Sequence, residues 1–363
     1  MEPSLKTKDD IQELALRAIA DKPRCSVGVS MGVGKTLIGL KHMAANYTDY
    51  VRFLVVAPKK SIFQSWIDDA KKFNMEYLLK SITFTTYLSL PKQPTSFDVV
   101  YLDECHSLLY THEPWLNNYQ GKILGLTGTP PKMAKSEKGE MVSQFCPVVY
   151  KYVVDSAVDD KILNDYRIML HPVDLDTNKT LKVEKNGKVW FTSEEASYDY
   201  WTGRLENARS AKETQIMRIM RMKSLMSFPS KERYAATLFR SIEDKCILFA
   251  NTHDQADKLC KDSYHSNNPK SEANLLKFKS GEITKLSAVL QLNEGVNIPN
   301  LKEGIILHAY GNERKSSQRI GRMLRLNPEE RAIVHILYYR NTIDEQWVRR
   351  ALEDFDQDRI IWK

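Results

Sequence analysis

Short apolar runs alternate with amphipathic segments through about residue 150 of the chain. The runs are Cys25–Ser30, Phe53–Ala57, Ile82–Thr85, Val99–Leu102 and Ile123–Leu126. Continuous apolar runs predict strands that are buried on both faces, and the helical segments between them predict a parallel sheet covered by helices. The second half repeats this pattern at Cys246–Ala250, Ser287–Gln291, Gly304–His308 and Ile333–Tyr338. The sequence therefore predicts two α/β domains, residues 1–152 and 153–363.

Residues 174–228 depart from this pattern and predict an insertion in the second domain. Polar and apolar residues alternate around Asn186-Gly187 in residues 182–191, which predicts a β-hairpin. Residues 193–228 predict mostly helix. The residues expected on its apolar, core-facing side are Ile216, Ile219, Met220 and Met226.

Composition narrows the class of protein only in part. The 363 residues include 53 Lys and Arg against 46 Asp and Glu, a net charge of +7, which is compatible with a polyanionic partner without establishing one. Five scattered cysteines disfavour a disulfide framework or a zinc site. The N-terminus lacks the apolar stretch of a signal peptide, and no run approaches the ~20 apolar residues of a membrane helix. We therefore expect a cytoplasmic protein with no membrane partner.

A glycine-containing loop, Ser30–Thr36, follows the first predicted strand and opens a helical pattern. Its glycines allow backbone N–H groups to close around phosphate oxygens, and the helix directs its positive end at them. Lys35 is expected to reach the β- and γ-phosphates of ATP, and Thr36 to bind Mg²⁺. Val29 stands where the longer phosphate-loop pattern has glycine. The predicted nucleotide-binding residues here are Met31, Gly32, Val33, Gly34, Lys35 and Thr36.

Two carboxylates, Asp103 and Glu104, follow the predicted strand Val99–Leu102. Ligands of open α/β sheets bind at the carboxyl ends of the strands. We expect Asp103 to hold Mg²⁺ through water and Glu104 to orient and deprotonate the attacking water. The threonine hydroxyls of residues 126–130 are expected to link the carboxylates to a moving neighbour.

A basic segment, Gln318–Arg325, lies far from the phosphate loop in the sequence. Arg322 and Arg325 are three residues apart and share one face of a helix. Arginines directed at the γ-phosphate stabilise the charge of phosphoryl transfer, and Gln318 is expected to position the water. Taken alone the segment is an ordinary basic helix. The phosphate loop and the carboxylates make it the second half of a predicted ATP site.

The set of segments resembles the superfamily 2 helicases and translocases, from about Gln12 to Arg325. The segments are Ser30–Thr36, Asp103–His106, Thr127–Thr129, Gly295–Pro299 and Gln318–Arg325. The resemblance implies two RecA-like domains, with ATP and Mg²⁺ in the cleft between them and nucleic acid across both. It further implies that Gln12 reads the adenine and that Gly295 and Asn297 belong to the ATP site.

The resemblance also implies nucleic-acid contacts at three strand ends. Residues 57–61 followed by Trp66 resemble the first DNA-contacting motif of the family. Residues 85–87 resemble the second motif, and residues 249–252 resemble the first motif of this kind in the second domain. The contacts implied are Pro58, Lys59, Lys60, Thr85, Thr86, Asn251, Thr252 and His253, with Arg314 as a further candidate.

Two departures from the RNA-helicase pattern favour DNA as the partner. Asn297 replaces the aspartate of Gly-x-Asp-x-Pro, and residues 103–106 read Asp-Glu-x-His instead of Asp-Glu-Ala-Asp. Segments 295–301, 308–311 and 318–325 resemble UvsW-like phage DNA helicases and the related restriction-enzyme and remodeller-type translocases. We therefore expect an ATP-dependent helicase or translocase on single-strand, duplex or branched DNA, monomeric or weakly associating. A duplex translocase that leaves strands paired, an RNA helicase and an ATP-gated binding module stay open as alternatives.

Two local features add separate hypotheses. The hairpin tip with Trp190 is expected to wedge a duplex junction, since aromatic rings stack on bases. A surface hairpin or an interdomain brace is the alternative. Residues 342–347 predict a closing helix, which disfavours a nuclease fused after Arg325.

Overall fold

The computed structural model describes residues 5–30, 32–131, 134–185, 187–289, 298, 301–309, 331–353 and 355–363. The chain divides into two compact units that meet in the sequence between Asp165 and Tyr166. Residues 153–165 pack with the first unit. The predicted site residues that lie outside the described ranges are Met31, Gly295, Asn297, Arg314, Gln318, Arg322 and Arg325.

The first unit is built on a parallel sheet with the strand order β3-β2-β4-β5-β1-β6. The strands are β1 Arg24–Val29, β2 Phe53–Ala57, β3 Ile82–Thr86, β4 Val99–Asp103, β5 Lys122–Thr127 and β6 Val148–Tyr152. The helices are α1 Lys8–Ile19, α2 Lys35–Ala45, α3 Ser61–Lys72, α4 Glu113–Asn118, α5 Glu137–Phe145 and α6 Val154–Asp159. The five strands predicted from apolar runs are confirmed. The edge strand β6 escaped prediction because most of its side chains are only partly buried.

The second unit contains a parallel sheet with the order β11-β12-β10-β13-β14-β7-β15. Its strands are β7 Tyr166–Val173, β10 Cys246–Ala250, β11 Ser263–Tyr264, β12 Lys285–Val289, β13 Glu303–Ile306, β14 Ala332–Tyr339 and β15 Ile360–Trp362. The helices outside the insertion are α9 Pro229–Ser241, α10 His253–Leu259, α11 Ser271–Ser280 and α12 Ile343–Ala351. The predicted class, two α/β units with parallel sheets, is confirmed, as is the closing helix α12. The sequence did not reveal β7 because Pro172 interrupts a strand pattern, or β11 and β15 because they are very short.

Side-chain caps determine where several helices begin. Thr7 accepts a hydrogen bond from the Asp10 amide, while the Asp10 carboxylate accepts one from the Thr7 amide, so α1 begins at Lys8. Thr252 caps α10 through the Gln255 amide in the same way. Among the described residues, no helix has both the length and the apolar character that crossing a membrane requires.

The insertion contains the predicted hairpin, β8 Leu181–Lys185 and β9 Lys188–Thr192, followed by α7 Glu194–Glu206 and α8 Ala211–Ser227. The predicted apolar side of α8 is wrong, because Ile216 and Ile219 are 45% and 40% exposed. Met217 and Leu225 are buried instead. The reason is the packing partner: α7 lies along α8, and Leu225 joins a core that includes residues of β7 and β14.

A fully buried lysine joins three elements of the second unit. Lys231 in the first turn of α9 pairs with Asp344, which opens α12, and its Nζ lies 3.1 Å from Nδ1 of His308, which follows β13. The ammonium also lies 4.3 Å from the centre of the Tyr339 ring at the end of β14. Burial lowers the pKa of Lys231, and the Asp344 carboxylate opposes that shift. This cation therefore fixes the mutual positions of α9, α12 and two strand ends.

A buried chain of hydrogen bonds crosses the same sheet. His171 Nδ1 lies 2.8 Å from the Tyr234 hydroxyl, and its Nε2 lies 2.9 Å from His335 Nδ1. His335 Nε2 lies 2.8 Å from Glu303 Oε2. Burial, helped by the charges of His335 and Lys363, lowers the pKa of His171 to about 3. One set of tautomers satisfies the whole chain: Tyr234 donates to His171, His171 donates to His335, and His335 donates to Glu303.

The buried lysine gives a first prediction. Lys231→Met removes one partner of a buried ion pair and should lower the free energy of unfolding by about 3–5 kcal/mol. The matched control is Lys258→Met, since Lys258 pairs with Glu232 but its side chain is 66% exposed, and it should cost less than about 1 kcal/mol. Urea titration followed by tryptophan fluorescence measures both. Equal midpoints for the two variants would contradict the assignment.

The histidine chain predicts a pH dependence of stability. His171 takes up a proton near pH 6.5 in the unfolded chain but only near pH 3 in the folded protein. Its contribution to the free energy of unfolding is therefore fully present above pH 6.5 and is lost as the pH falls towards 3. His171→Gln can donate and accept without titrating. Between these pH values we expect the wild type to lose about 1 kcal/mol per pH unit more than this variant. Urea midpoints at several pH values measure the difference, and parallel curves would show that His171 does not cause it.

Candidate functional site

Three neighbouring strands of the first unit bring the predicted ATP-site residues to one edge of the sheet. β5 lies between β1 and β4, and all three strands run parallel. Asp103 ends β4, Thr127 ends β5, and the loop Ser30–Gly34 follows β1. The carboxyl ends of parallel strands share an edge, so residues from three distant stretches of sequence meet there.

The loop after β1 has the geometry of an anion cradle. Gly32 and Gly34 have φ angles of +90° and +95°, a region that favours glycine. Gly34 directly precedes α2, so the positive end of this helix faces the loop. Ser30 Oγ is buried and lacks a hydrogen-bond partner within the described part of the chain. These features fit a bound phosphate chain, with Lys35 and Thr36 at the start of the helix to engage it and its Mg²⁺.

Gln12 of α1 is fixed onto this loop. Its side chain is buried, its Nε2 donates to the Val33 carbonyl at 2.7 Å, and its Oε1 accepts from Lys41 Nζ at 2.8 Å. Lys41 also lies 3.2 Å from Asp9 Oδ1. The structure thus places Gln12 beside the predicted nucleotide loop.

Lys35 and Glu104 form an ion pair whose side chains are only 16% and 11% exposed. Glu104 has a φ angle of +52°, which an L-residue adopts at a cost of roughly 1–3 kcal/mol. Burial alone would raise the pKa of Glu104. The charges of Lys35 and His106, with hydrogen bonds from Lys35 and the Gly128 amide, outweigh burial and lower that pKa. Glu104 is therefore ionised at neutral pH.

The Thr127 hydroxyl connects several groups beside Glu104. It lies 2.8 Å from His106 Nδ1 and 3.4 Å from Glu104 Oε2, and it accepts a hydrogen bond from the Thr129 amide at 3.1 Å. His106 Nδ1 is itself 3.3 Å from Glu104. The threonine loop is therefore linked to one of the two carboxylates, Glu104. His106 was not predicted to act, although its place in Asp-Glu-Cys-His was the available signal.

Asp103 is held by two aromatic residues that the sequence assigned to DNA-contacting segments. The Trp66 indole N–H donates to Asp103 Oδ2 at 2.9 Å, and the Tyr87 hydroxyl donates to the Asp103 carbonyl at 2.9 Å. Trp66 is 0% exposed, and burial raises the pKa of Tyr87, which keeps its hydroxyl protonated. Both side chains reach Asp103 because β2 pairs with β4 and β3 pairs with β2 on the far side. Asp69 lies one turn after Trp66; burial raises the pKa of its carboxyl, and the Thr36 hydroxyl opposes that shift.

The remaining contact residues predicted in the first unit lie at the ends of β2 and β3. The sheet order continues this edge from β4 to β2 and β3. Lys59 and Lys60 are exposed, and Pro58 and Thr86 are partly buried. The Thr85 side chain is buried. The exposed cations therefore flank the carboxylates along one edge.

In the second unit, Asn251, Thr252 and His253 follow β10, which lies between β12 and β13. The Asn251 carboxamide is buried, and neither of its polar atoms has a partner among the residues that the structure describes. Gln255 accepts a hydrogen bond from the Asn251 amide at 3.3 Å and donates to the Met226 carbonyl at 2.6 Å. Gln255 was missed by sequence reasoning because its partners come from another helix. Thr252 is exposed and His253 partly buried.

Two family profiles match this chain. The profile described as helicase conserved C-terminal domain matches residues 230–327, and the profile of the type III restriction enzyme res subunit matches residues 6–86. A curated relative, DNA 3'-5' translocase XPB2 from Sulfurisphaera tokodaii, is 26% identical over 380 residues. The alignment covers 95% of this chain and 84% of the relative.

Solved structures share the architecture. The helicase domain of Hef from Pyrococcus furiosus has a TM-score of 0.55 and 15% identity, and the match covers 97% of this chain and 98% of that one. The type ISP restriction-modification enzyme LlaBIII bound to DNA has a TM-score of 0.62 and 16% identity. The match covers 99% of this chain but only 31% of that enzyme. These likenesses show the fold, two RecA-like domains with parallel sheets. The two helicase-type profiles and the translocase relative show the activity, that of a nucleic-acid-dependent ATPase.

Proposed function

We propose that this protein couples ATP hydrolysis to movement on DNA. The observation that carries this proposal is the edge of the first sheet. There, Asp103 and the Lys35–Glu104 pair lie at the end of β4, and the neighbouring strand β2 leads to the exposed Lys59 and Lys60. A relative named as a DNA translocase and a similar fold solved with DNA support DNA as the track. Branched DNA and the likeness to UvsW-like phage helicases belong to the same proposal.

The first step of hydrolysis is a change of partner by Lys35. Glu104 is ionised because the Lys35 ammonium lies against its carboxylate. When Lys35 moves to a β- or γ-phosphate oxygen of ATP, Glu104 loses its strongest favourable charge and its pKa rises. A freed carboxylate with a higher pKa is a better base for the attacking water. Nucleotide binding thus activates its own base.

The remaining ATP-site roles follow from position and from the resemblance. Thr36 and Asp103 would hold Mg²⁺, and the ion would neutralise charge on the phosphates. Gln12 would contact the adenine from its place against the Val33 carbonyl. The residues that lie outside the described ranges keep their proposed roles: Met31, Gly295 and Asn297 in binding, and Gln318, Arg322 and Arg325 in the second half of the site.

The proposed DNA contacts grip phosphates at strand ends in both units. They are Pro58, Lys59, Lys60, Thr85, Thr86, Asn251, Thr252 and His253. Thr85 would contact DNA through its backbone, because its side chain is buried. The side chain of Asn251 would contribute its Nδ2 donor and its Oδ1 acceptor. Such contacts read the backbone rather than the bases, so binding should depend weakly on sequence and strongly on salt. The monomeric state, the cytoplasmic location and the domain boundary after residue 152 also remain proposals.

Replacing either member of the ion pair tests the ATP site. Lys35→Ala and Glu104→Gln should each lower DNA-stimulated ATP turnover by about 10²–10⁴-fold, since charge stabilisation or the general base is lost. Glu104→Gln should still bind nucleotide, whereas Lys35→Ala should bind it weakly. ATPase assays with single-strand, duplex, forked and four-way DNA, and with RNA, measure turnover. Equilibrium binding of a fluorescent nucleotide measures affinity.

The controls are Lys277→Ala and Glu282→Gln, which break an exposed lysine–glutamate pair whose atoms lie 2.9 Å apart. These variants should retain wild-type turnover. Persistent turnover in Lys35→Ala would overturn the site assignment. If RNA alone stimulates the wild type, RNA and not DNA is the track. If no nucleic acid stimulates it, the ATP-gated binding module is favoured.

The hairpin tests whether movement separates strands. Trp190 and Phe191 on β9 are 44% and 59% exposed, as a wedge at a duplex junction requires. Replacing both with alanine should abolish unwinding of forked DNA and spare DNA-stimulated ATP turnover, because stacking on the separated bases is lost. A strand-displacement assay measures the unwinding.

The matched variant is Tyr50→Ala, which removes a 93% exposed aromatic ring from the first unit. It should unwind like the wild type. Equal unwinding by the Trp190 and Phe191 variant would leave the hairpin as a surface feature or a brace. A wild type that moves on duplex DNA without displacing a strand would favour the pure duplex translocase.

A further inference from the structure

We propose that helix α3 couples DNA contact at the strand ends to the two proposed Mg²⁺ ligands, with Trp66, Asp69 and Tyr87 as positioning residues. The inference rests on the proposed function, because it gives the route by which DNA accelerates ATP hydrolysis. It concerns the first unit alone. Its residues were expected to contact DNA or had no assigned role.

The exposed lysines at the end of β2 are part of the first turn of α3. The Ile62 amide donates to the Lys59 carbonyl at 3.2 Å, and the Phe63 amide donates to the Lys60 carbonyl at 3.1 Å. Lys59 and Lys60 therefore cannot shift without shifting the start of α3. A phosphate held by these lysines acts directly on the position of the helix.

Trp66 connects α3 to Asp103. Its indole donates to Asp103 Oδ2 at 2.9 Å and is fully buried. The ring packs so closely on α2 that a Cβ at Gly39 would lie 2.5 Å from Trp66 Cη2. The Tyr101 ring contacts it edge-on, with a centroid distance of 6.3 Å. Close packing on two sides transmits a displacement of α3 to the carboxylate.

Asp69 connects the same face of α3 to the phosphate loop. It lies three residues after Trp66, so both side chains share one face of the helix. The hydroxyl of Thr36, the other proposed Mg²⁺ ligand, acts on the Asp69 carboxyl and lowers its pKa, although burial has the larger effect and raises that pKa. One face of α3 therefore carries the side chains directed at Asp103 and Thr36, one to three turns after the exposed lysines at its start.

Tyr87 provides a second connection from the neighbouring strand end. It directly follows Thr86, a proposed DNA contact at the end of β3. Its hydroxyl donates to the Asp103 carbonyl at 2.9 Å, while Trp66 donates to the side chain of the same residue. Asp103 is thus held by groups that continue from two separate proposed DNA contacts.

Ordinary core packing is the competing explanation, since buried donors need acceptors wherever they lie. The first unit contains a matched control for each aromatic residue. The Trp115 indole donates to the Gln93 carbonyl at 2.7 Å, and the Tyr119 hydroxyl donates to the Lys122 carbonyl at 3.1 Å. Both are buried donors to backbone carbonyls, and neither bond involves Asp103.

The experiment compares Trp66→Phe and Tyr87→Phe with Trp115→Phe and Tyr119→Phe. Each change removes one hydrogen-bond donor and keeps an aromatic ring. We measure ATP turnover with and without duplex DNA, and the affinity for a fluorescent, non-hydrolysable ATP analogue with Mg²⁺ under the same two conditions. In the two site variants, the ratio of DNA-stimulated to basal turnover should fall about tenfold. In the two controls, this ratio should stay at its wild-type value.

The binding measurement separates coupling from damage to the site. Coupling is reciprocal, so the gain in nucleotide affinity that DNA produces should shrink towards onefold in the site variants. Asp69→Asn keeps an acceptor for Thr36 and should retain most of the stimulation, whereas Asp69→Ala should lose it. If thermal melting shows that Trp66→Phe folds poorly, the coupling is tested with Tyr87→Phe and Asp69→Ala instead. Tyr87→Phe removes a single oxygen atom.

The contrary outcomes are distinct. Basal and stimulated turnover that fall in equal proportion would mean that these residues only support Asp103, and the coupling would be wrong. Site variants that behave like the controls would refute it as well. A wild type that no nucleic acid stimulates would instead refute the proposed function, and that result does not depend on the variants.

Discussion

The ion pair between Lys35 and Glu104 joins residues 69 positions apart in the sequence, and it depends on one constraint, the parallel course of β1, β5 and β4. Only parallel strands deliver the loop after β1 and the end of β4 to the same edge. Burying two charges costs several kcal/mol per ion, which their attraction offsets only with good geometry and further hydrogen bonds. Glu104 also adopts a left-handed backbone conformation. A costly pair in a strained segment is typical of a functional site rather than a structural one.

The surroundings of this pair divide into fixed and exchangeable partners. Thr127 and His106 hold Glu104 from one side, and Trp66 and Tyr87 hold Asp103 through buried bonds. Lys35 differs because its natural competitor, a phosphate, binds at the same helix start. The carboxylates therefore keep their positions while the charge beside them changes. This is the condition for electrostatic preorganisation, in which the site need not rearrange as the reaction proceeds.

Sequence reasoning worked where one local rule decides the outcome. The strands β1, β2, β4 and β5 are mostly apolar runs because both faces of the sheet are covered there, and the glycines of the phosphate loop meet a backbone requirement. It failed where the outcome depends on a partner distant in sequence. Trp66 points to Asp103 only because β2 pairs with β4, and the buried side of α8 is chosen by α7, although Ile216 and Ile219 made the other side plausible. The segment with Arg322 and Arg325 lies outside the described residues, so its place was not tested.

The two units solve the positioning of a strand end in the same way. After β2, the helix α3 carries Trp66 back to a neighbouring strand end, and after β10, the helix α10 carries Gln255 back to the Asn251 amide. Gln255 also donates to the Met226 carbonyl at the end of α8, so the insertion is fastened to this strand end by the same side chain. In each unit, the helix that follows the strand carries a buried side chain with a polar group, Trp66 or Gln255. This side chain fixes the start of the helix, where the exposed lysines or the unpartnered Asn251 carboxamide lie. Polar anchors suit this task because a hydrogen bond requires one distance and one direction, whereas apolar contacts tolerate sliding.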